Sequence, residues 1–351
     1  MDVHFVVPEG IDDPARPSGG NAYDRRVRDG LTAAGWPVRV HTVPGSWPRP
    51  DPAAHAALAG AVQEIPDGAV VLLDGLVAST APDLLVPQSR RLRLVALVHM
   101  PLGHGPEANG DRGRERAVLA ACAAVVTTSA WARRTLVELY AIPGARVHVA
   151  EPGADAADLA PGTAAAGGFL TVAAVIPGKG HDVLVAALGA MAELPWSLAC
   201  VGSLERDPGF AADLRRRLAD DGLAGRVSFT GARAGADLAG SYAAADLLVL
   251  PSRAESYGMV VTEALARGLP VVAAEVGGVP EALGRGAGGA RPGLLVPPGD
   301  PVALGAALRA WLGDGELRRR LRWAARERRD SLPRWPATTA AVADVLRGAA
   351  A

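Results

Sequence analysis

The chain's 351 residues allow two domains at roughly 150 residues each, which excludes a lone small module. Hydrophobic residues at 49% and charged residues at 21% exclude a disordered or fibrous chain. With 36 Lys and Arg against 37 Asp and Glu there is no basic footprint for coating a phosphate backbone, so nucleic acid is not an expected partner.

The N-terminus, MDVHFVVPEG, enters a short apolar run with an acid at position 2 and lacks the basic start of a signal peptide. The apolar stretch 117–132 is too short and too rich in Thr, Ser and Ala to span a bilayer, so no transmembrane segment and a cytoplasmic protein are expected. Cys122 and Cys200 each lie in an apolar run and read as buried thiols, not as a disulfide.

Short β-rich runs recur at 3–7, 38–43, 69–73, 93–98, 124–127 and 146–149, separated by Ala, Leu and Arg segments of helical length. The pattern restarts at 169–173, 197–201, 226–230, 246–250, 270–273 and 293–296. Runs that are continuously apolar indicate parallel sheets covered on both faces by helices, so the fold class is α/β with two doubly wound, Rossmann-like units. The expected division is an N-terminal domain over 1–155, a linker over 156–168 rich in Ala, Gly and Pro, and a C-terminal domain over 169–331. A last helix over 332–351 is placed to pack back on the first domain. Open parallel sheets bind ligands beyond the carboxyl ends of their strands, and two such units facing each other would form a central cleft.

After the first strand, PSGGNAYDRRVRDGLTAAGW (17–36) opens a helix with Gly19 and Gly20. The dinucleotide fingerprint G-x-G-x-x-G is absent there, and GKGHDV at 178–183 has no third glycine. The glycine pair can equally serve a simple turn. His99 closes the strand RLVALVH, which places an imidazole at the edge of the expected cleft; a lone histidine at a strand end can also be a satisfied structural residue. His104 lies five residues further on, which is no recognised metal-ligand spacing.

In the second half, FLTVAAVIPGKGHDVLVAAL (169–188) reads as a strand, a Pro/Gly turn holding Lys179, and a helix. Lys179 is the only lysine of the chain, which suggests that a compact, flexible ammonium is wanted there and not another arginine. The segment 244–273, AADLLVLPSRAESYGMVVTEALARGLPVVA, has a strand ending at Leu250, a loop, and a helix from near Gly258 to Gly268, with Pro270 beyond it. A helix N-terminus at the end of a strand presents unpaired N–H groups and suits a phosphate. Glu255 and Glu263 bracket it, and each carboxylate could accept two hydroxyls of a sugar or ribose. Taken alone, the segment is also compatible with Ser256 as a cap, Glu255 as a solvated loop acid and Glu263 as a surface acid. The arginine-rich stretch LRRRLRWAARERR (317–329) reads as a solvated helix face.

These two loops resemble the retaining glycosyltransferases of glycosyltransferase family 4, which have the two-domain GT-B fold. Glu255-Ser256-Tyr257-Gly258 through Glu263 matches the family's E-x7-E signature, and Pro177 through Gly180 its basic phosphate loop. GGVPE (277–281) and GLLVPPGD (293–300) are similar to further family segments, so the resemblance covers most of 168–312. It implies that Glu255 contacts the donor sugar, that Lys179 and the N–H groups of Gly258, Met259 and Val260 meet the diphosphate, and that Glu263 holds the ribose. It also implies that the Gly19-Gly20 loop approaches the donor phosphates and that His99 lies near the reacting sugar. One departure stands out: the family commonly has an arginine five residues before the loop lysine, and here that position is Ala174.

The implied activity is transfer of a hexosyl group from a nucleoside diphosphate sugar to an acceptor hydroxyl, with retention at the anomeric carbon. No D-x-D pair occurs, so neither a metal nor any other cofactor is expected. A nucleotide-sugar epimerase or phosphorylase on the same fold, or a non-catalytic nucleotide-sugar binding protein, would share these features. A nicotinamide-dependent enzyme would lack the glycine fingerprint it needs. The sequence names neither donor base, sugar nor acceptor.

Overall fold

A computed structural model describes residues 2–13, 18–105 and 109–351. Pro17, the first residue of the glycine-pair segment, lies outside them. The described residues form two compact units, one built from the chain up to Gly153 together with Pro333–Ala351, the other from Ala154–Leu332.

The first unit holds a six-stranded sheet of β1 (Val3–Pro8), β2 (Val38–Val43), β3 (Val70–Asp74), β4 (Arg93–Val98), β5 (Ala124–Thr127) and β6 (Val147–Val149). The second holds β7 (Gly168–Val172), β8 (Ser197–Val201), β9 (Val227–Gly231), β10 (Leu247–Leu250), β11 (Val271–Ala274) and β12 (Gly293–Val296). All the pairings are parallel, in the orders β2-β1-β3-β4-β5-β6 and β12-β11-β10-β7-β8-β9. Every residue of β3, β5, β10 and β11 is buried, as a strand covered on both faces requires.

In each order there is one place where successive connections leave in opposite directions: between β1 and β3, and between β7 and β10. At such a switch point the loops beyond the strand ends splay apart and leave a crevice. The Lys179 turn follows β7 and the Glu255 loop follows β10. The glycine pair follows β1, and His99 follows β4, which neighbours β3.

The terminal helix Trp335–Ala350 buries Val342, Ala343 and Leu346 against Val3, Phe5, Val27 and Leu31 of the first unit. Two glycines permit the approach: a Cβ on Gly30 would meet Thr339 Oγ1 at 2.2 Å, and one on Gly153 would meet the Trp335 backbone N at 2.2 Å. Cys122 and Cys200 are buried and free, and burial pushes both thiols up to about 12. No helix among the described residues is long and apolar enough to cross a membrane.

The segment expected to be a linker, 156–168, is instead fastened within the second unit. Ala160 N donates to Arg267 O at 2.9 Å, Trp311 Nε1 to Ala166 O at 2.8 Å, and Arg329 to Ala157 O at 2.6 Å. The anchor is Asp246, 1% exposed at the entry to β10. It accepts from Thr163 N (2.7 Å), Thr163 Oγ1 (2.6 Å), Gly168 N (2.9 Å) and Arg322 (3.2 Å). Replacing a buried carboxylate that satisfies four donors strands them all, so Asp246→Ala is expected to lower stability by roughly 3 kcal/mol. A urea unfolding midpoint unchanged from wild type would show the segment to be loosely held.

Candidate active site

β7 ends at Val172, a short turn carries Pro177–Lys179, and a helix runs from His181 to Gly189. The turn reverses at Gly180, whose φ of +69° suits glycine. A Cβ there would stand 2.0 Å from the Pro251 carbonyl oxygen, so the turn lies directly against the loop that leaves β10. Arg253 of that loop staples the two together. Its backbone N donates to Gly178 O at 2.9 Å, and its guanidinium grips Asp182 in a fork at 2.9 and 2.7 Å while also donating to Pro177 O.

This staple sets two of the expected site residues in contact across 76 positions of sequence. Lys179 Nζ donates to Glu255 Oε1 at 2.6 Å, and the same oxygen accepts from the fully buried Ser252 hydroxyl at 2.8 Å. Glu255 is therefore no solvated loop acid; its side chain is 13% exposed, against 28% for Lys179. His181, next in the turn, is buried, and that burial pushes its imidazole down to about 4, so it is neutral at pH 7 and adds no charge beside Lys179.

Ser256 does not cap the following helix. The N-cap is Gly258, with φ +90°, and the helix runs from Met259 to Leu265 without a side-chain cap. The backbone N–H groups of Gly258, Met259 and Val260 precede its first internal turn. The ring of Tyr257 is 2% exposed and packs in the core with Leu250, Val261 and Val279, so this residue can offer a ligand its backbone only. The 277–281 segment closes on the same loop: Gly278 N donates to Glu255 O at 3.2 Å, and a Cβ on Gly278 would meet Ser256 O at 2.2 Å.

Glu263 is not the surface acid that the alternative reading allowed. It is half-buried, its Oε2 accepts from Tyr242 OH at 2.7 Å, and burial raises its pKa despite that bond and the nearby Arg267. Arg267 lies over the Tyr242 ring at 4.5 Å. Ala174 stands in the half-buried stretch between β7 and the turn and brings no charge.

In the first unit, Ser18 caps the helix Gly19–Ala33 by accepting from Asn21 N at 3.0 Å, which makes Gly19 and Gly20 its first residues. A Cβ on Gly20 would lie 3.3 Å from His99 Cδ2, so the absence of a side chain there lets the imidazole lie against the helix start. His99 Nε2 is 2.8 Å from Asp24 Oδ1 and 3.5 Å from Asp74 Oδ2. Burial alone would lower the His99 pKa, but the charge and hydrogen bond of Asp24, with the charge of Asp74, raise it to about 8. Asp74 is pushed up to about 7 by burial and by Asp24, against His99 and the N–H groups of Leu76 and Val77. Tyr23 stands edge-on to the His99 ring at 5.3 Å.

Among the described residues, Asp24, Asp74 and His99 are the one group whose ligand-type atoms lie within 4.8 Å of one another. Nε2 lies at hydrogen-bond distance from Asp24, so the trio forms an ion set around one imidazole. His104 stacks edge-on with Trp131 at 5.0 Å and takes no part in it.

Neither aspartate was picked out from sequence. Asp74 left a trace, an acid closing the apolar run VVLLD before a glycine. Asp24 left one too, an acid on the buried stripe Tyr23, Val27 and Leu31 of its helix.

The family model for glycosyl transferases group 1 matches residues 167–314, and that for glycosyltransferase family 4 matches 1–158. A D-inositol 3-phosphate glycosyltransferase of Kineococcus radiotolerans is 37% identical over 273 residues, covering 70% of this chain and 62% of that protein. A second, of Jonesia denitrificans, is 34% identical over 245 residues, covering 64% and 57%. The chain thus spans about three fifths of the length of these relatives. Among solved structures, the sucrose-phosphate synthase of Thermosynechococcus elongatus superposes with a TM-score of 0.78 at 24% identity over 99% of both chains. Anabaena Alr3699/HepE in complex with UDP-glucose gives 0.73 at 20% identity, covering 99% of this chain and 100% of that one. These structural likenesses establish the GT-B fold.

Proposed function

We propose that this chain, a glycosyltransferase of the group 1 and family 4 type, moves a hexosyl group from a nucleoside diphosphate sugar to an acceptor hydroxyl with retention of anomeric configuration and without a metal ion. The observation that carries this reading is the 2.6 Å contact between Lys179 and Glu255 at the β7/β10 switch point, beside a helix start. A glycosyl transfer builds negative charge on the departing diphosphate and positive charge on the sugar. Lys179 and the N–H groups of Gly258, Met259 and Val260 stabilise the first, and Glu255 faces the second. Glu263, through the oxygen that Tyr242 leaves over, takes the ribose hydroxyls. To Gly19 and Gly20 the reading assigns the donor phosphates, and to His99 the sugar.

The bound UDP-glucose of the Anabaena protein supports a UDP-sugar as the first donor to test. The names of the relatives support an inositol phosphate as the first acceptor. A pocket of about 300 Å³ in the first unit, lined by Arg49, His55, Thr80 and Arg114 among others, offers Arg49 to an anionic acceptor, Arg114 being paired with Asp111.

The test has two arms. A nucleoside diphosphate screened at a hundred times its dissociation constant stabilises a protein by about 2.7 kcal/mol, which reads as a rise of several degrees in Tm. Sugar transfer with retention should then persist in excess chelator. Absence of a Tm shift with every nucleoside diphosphate, or activity lost to chelator and restored by a divalent cation, would overturn the reading.

A further inference from the structure

The geometry points to Asp24 as a positioning residue of this transferase: it holds His99 by Nε2, so that the Nδ1–H is presented as a hydrogen-bond donor to a ligand oxygen beyond the carboxyl end of β4. The inference rests on the proposed transfer reaction and assigns His99 the part of a charged hydrogen-bond donor, not that of a general base.

Asp24 is 1% exposed, and among the described residues its side chain has no hydrogen-bond partner other than His99. Asp74, 2% exposed, stands differently: its Oδ1 accepts from Leu76 N at 2.8 Å and Val77 N at 3.3 Å, and only its Oδ2 looks to His99, at 3.5 Å. A buried carboxylate with a single partner is costly unless that partner carries a proton toward it. Asp24 therefore requires an N–H at Nε2. That requirement fixes the ring's orientation and leaves Nδ1, which has no partner among the described residues, for a ligand.

The groups facing the imidazole agree with this assignment. Asp24 and the Tyr23 ring face it from the helix Gly19–Ala33, and Asp74 faces it from the end of β3. Thr128 donates to the His99 carbonyl at 3.5 Å from beyond β5. Among the described residues no cation faces the ring, and the acids that face it are Asp24 at 2.8 Å and Asp74 at 3.5 Å. Gly20 completes the seat, because a Cβ there would press on the ring at 3.3 Å.

The test reads His99 directly and then reads catalysis. In the free wild-type protein, NMR of the labelled histidine ring should show Nε2 protonated and hydrogen-bonded through neutral pH, with a midpoint above that of a free imidazole. Asp24→Asn should lower that midpoint by about one pH unit or more, and Asp74→Asn should lower it by less. In turnover, Asp24→Asn should reduce kcat roughly ten- to a hundredfold with KM nearly unchanged, and should move the alkaline limb of the rate profile to lower pH. A wild-type ring protonated at Nδ1 alone at pH 7, a midpoint unmoved in Asp24→Asn, or a larger shift in Asp74→Asn would each overturn the inference. The wild-type spectrum decides it even if Asp24→Asn fails to fold. A protein that transfers no sugar but shows the expected ring spectrum would sink the proposed reaction and leave the positioning intact.

Discussion

Lys179→Ala is expected to lower turnover by about 10²- to 10³-fold while weakening donor binding much less, because the ammonium meets charge that is largest when the glycosyl bond is breaking. The structure gives a second reason for a large effect. Lys179 is the cation on Glu255 Oε1, with Ser252 as that oxygen's other donor, and Glu255 is mostly buried. Removing the ammonium leaves a shielded carboxylate oxygen with only the Ser252 hydroxyl as donor, which favours its displacement. The variant thus loses a phosphate partner and misplaces a sugar-facing acid in one step.

Lys179→Arg should recover only part of the rate. A planar fork cannot occupy a point 2.6 Å from one carboxylate oxygen and also reach a phosphate as a compact ammonium can. Turnover and donor affinity measured separately for both variants decide the matter. Wild-type values in both would place the diphosphate elsewhere.

The central strands were readable because strands buried on both faces leave continuous apolar runs, and the more exposed edge strands β2 and β9 through their Val, Thr and Phe residues; each observed strand begins and ends within a residue or so of its run. The Lys179 turn was readable for a compositional reason, one lysine among arginines. What joins Lys179 to Glu255 was not, because the Arg253–Asp182 fork spans 71 residues and neither member stands out in its segment. The same limit hid the surroundings of Glu263, since no local pattern announces that Tyr242, 21 residues earlier, will cover it. The segment 156–168 misled for a related reason. Small residues and prolines read as a free linker, while the acid that ties them down, Asp246, lies some 80 residues away and looks like an ordinary strand-entry residue.

Gly180→Ala should damage the site as severely as any single change to a charged group, although it removes no functional atom. The added Cβ would stand 2.0 Å from the Pro251 oxygen and 2.8 Å from its carbonyl carbon, and both are backbone atoms that cannot swing aside as a side chain could. The residue also sits at φ +69°, where a Cβ costs about 1 kcal/mol before any contact is counted. With overpacking of roughly 1 to 3 kcal/mol added, a stability loss of about 2 to 4 kcal/mol is expected. The strain can be relieved only by parting the two loops. That movement lengthens the Lys179–Glu255 contact and the Arg253 N to Gly178 O bond together, and a shift near 1 Å in a catalytic pair costs about a hundredfold in rate. Gly178, two residues earlier, is the stability control: it lacks a positive φ and nothing stands within 4 Å of its would-be Cβ, so Gly178→Ala should fold with wild-type stability. Wild-type turnover in Gly180→Ala would mean that the close approach of the loops at Pro251 does not set the catalytic geometry.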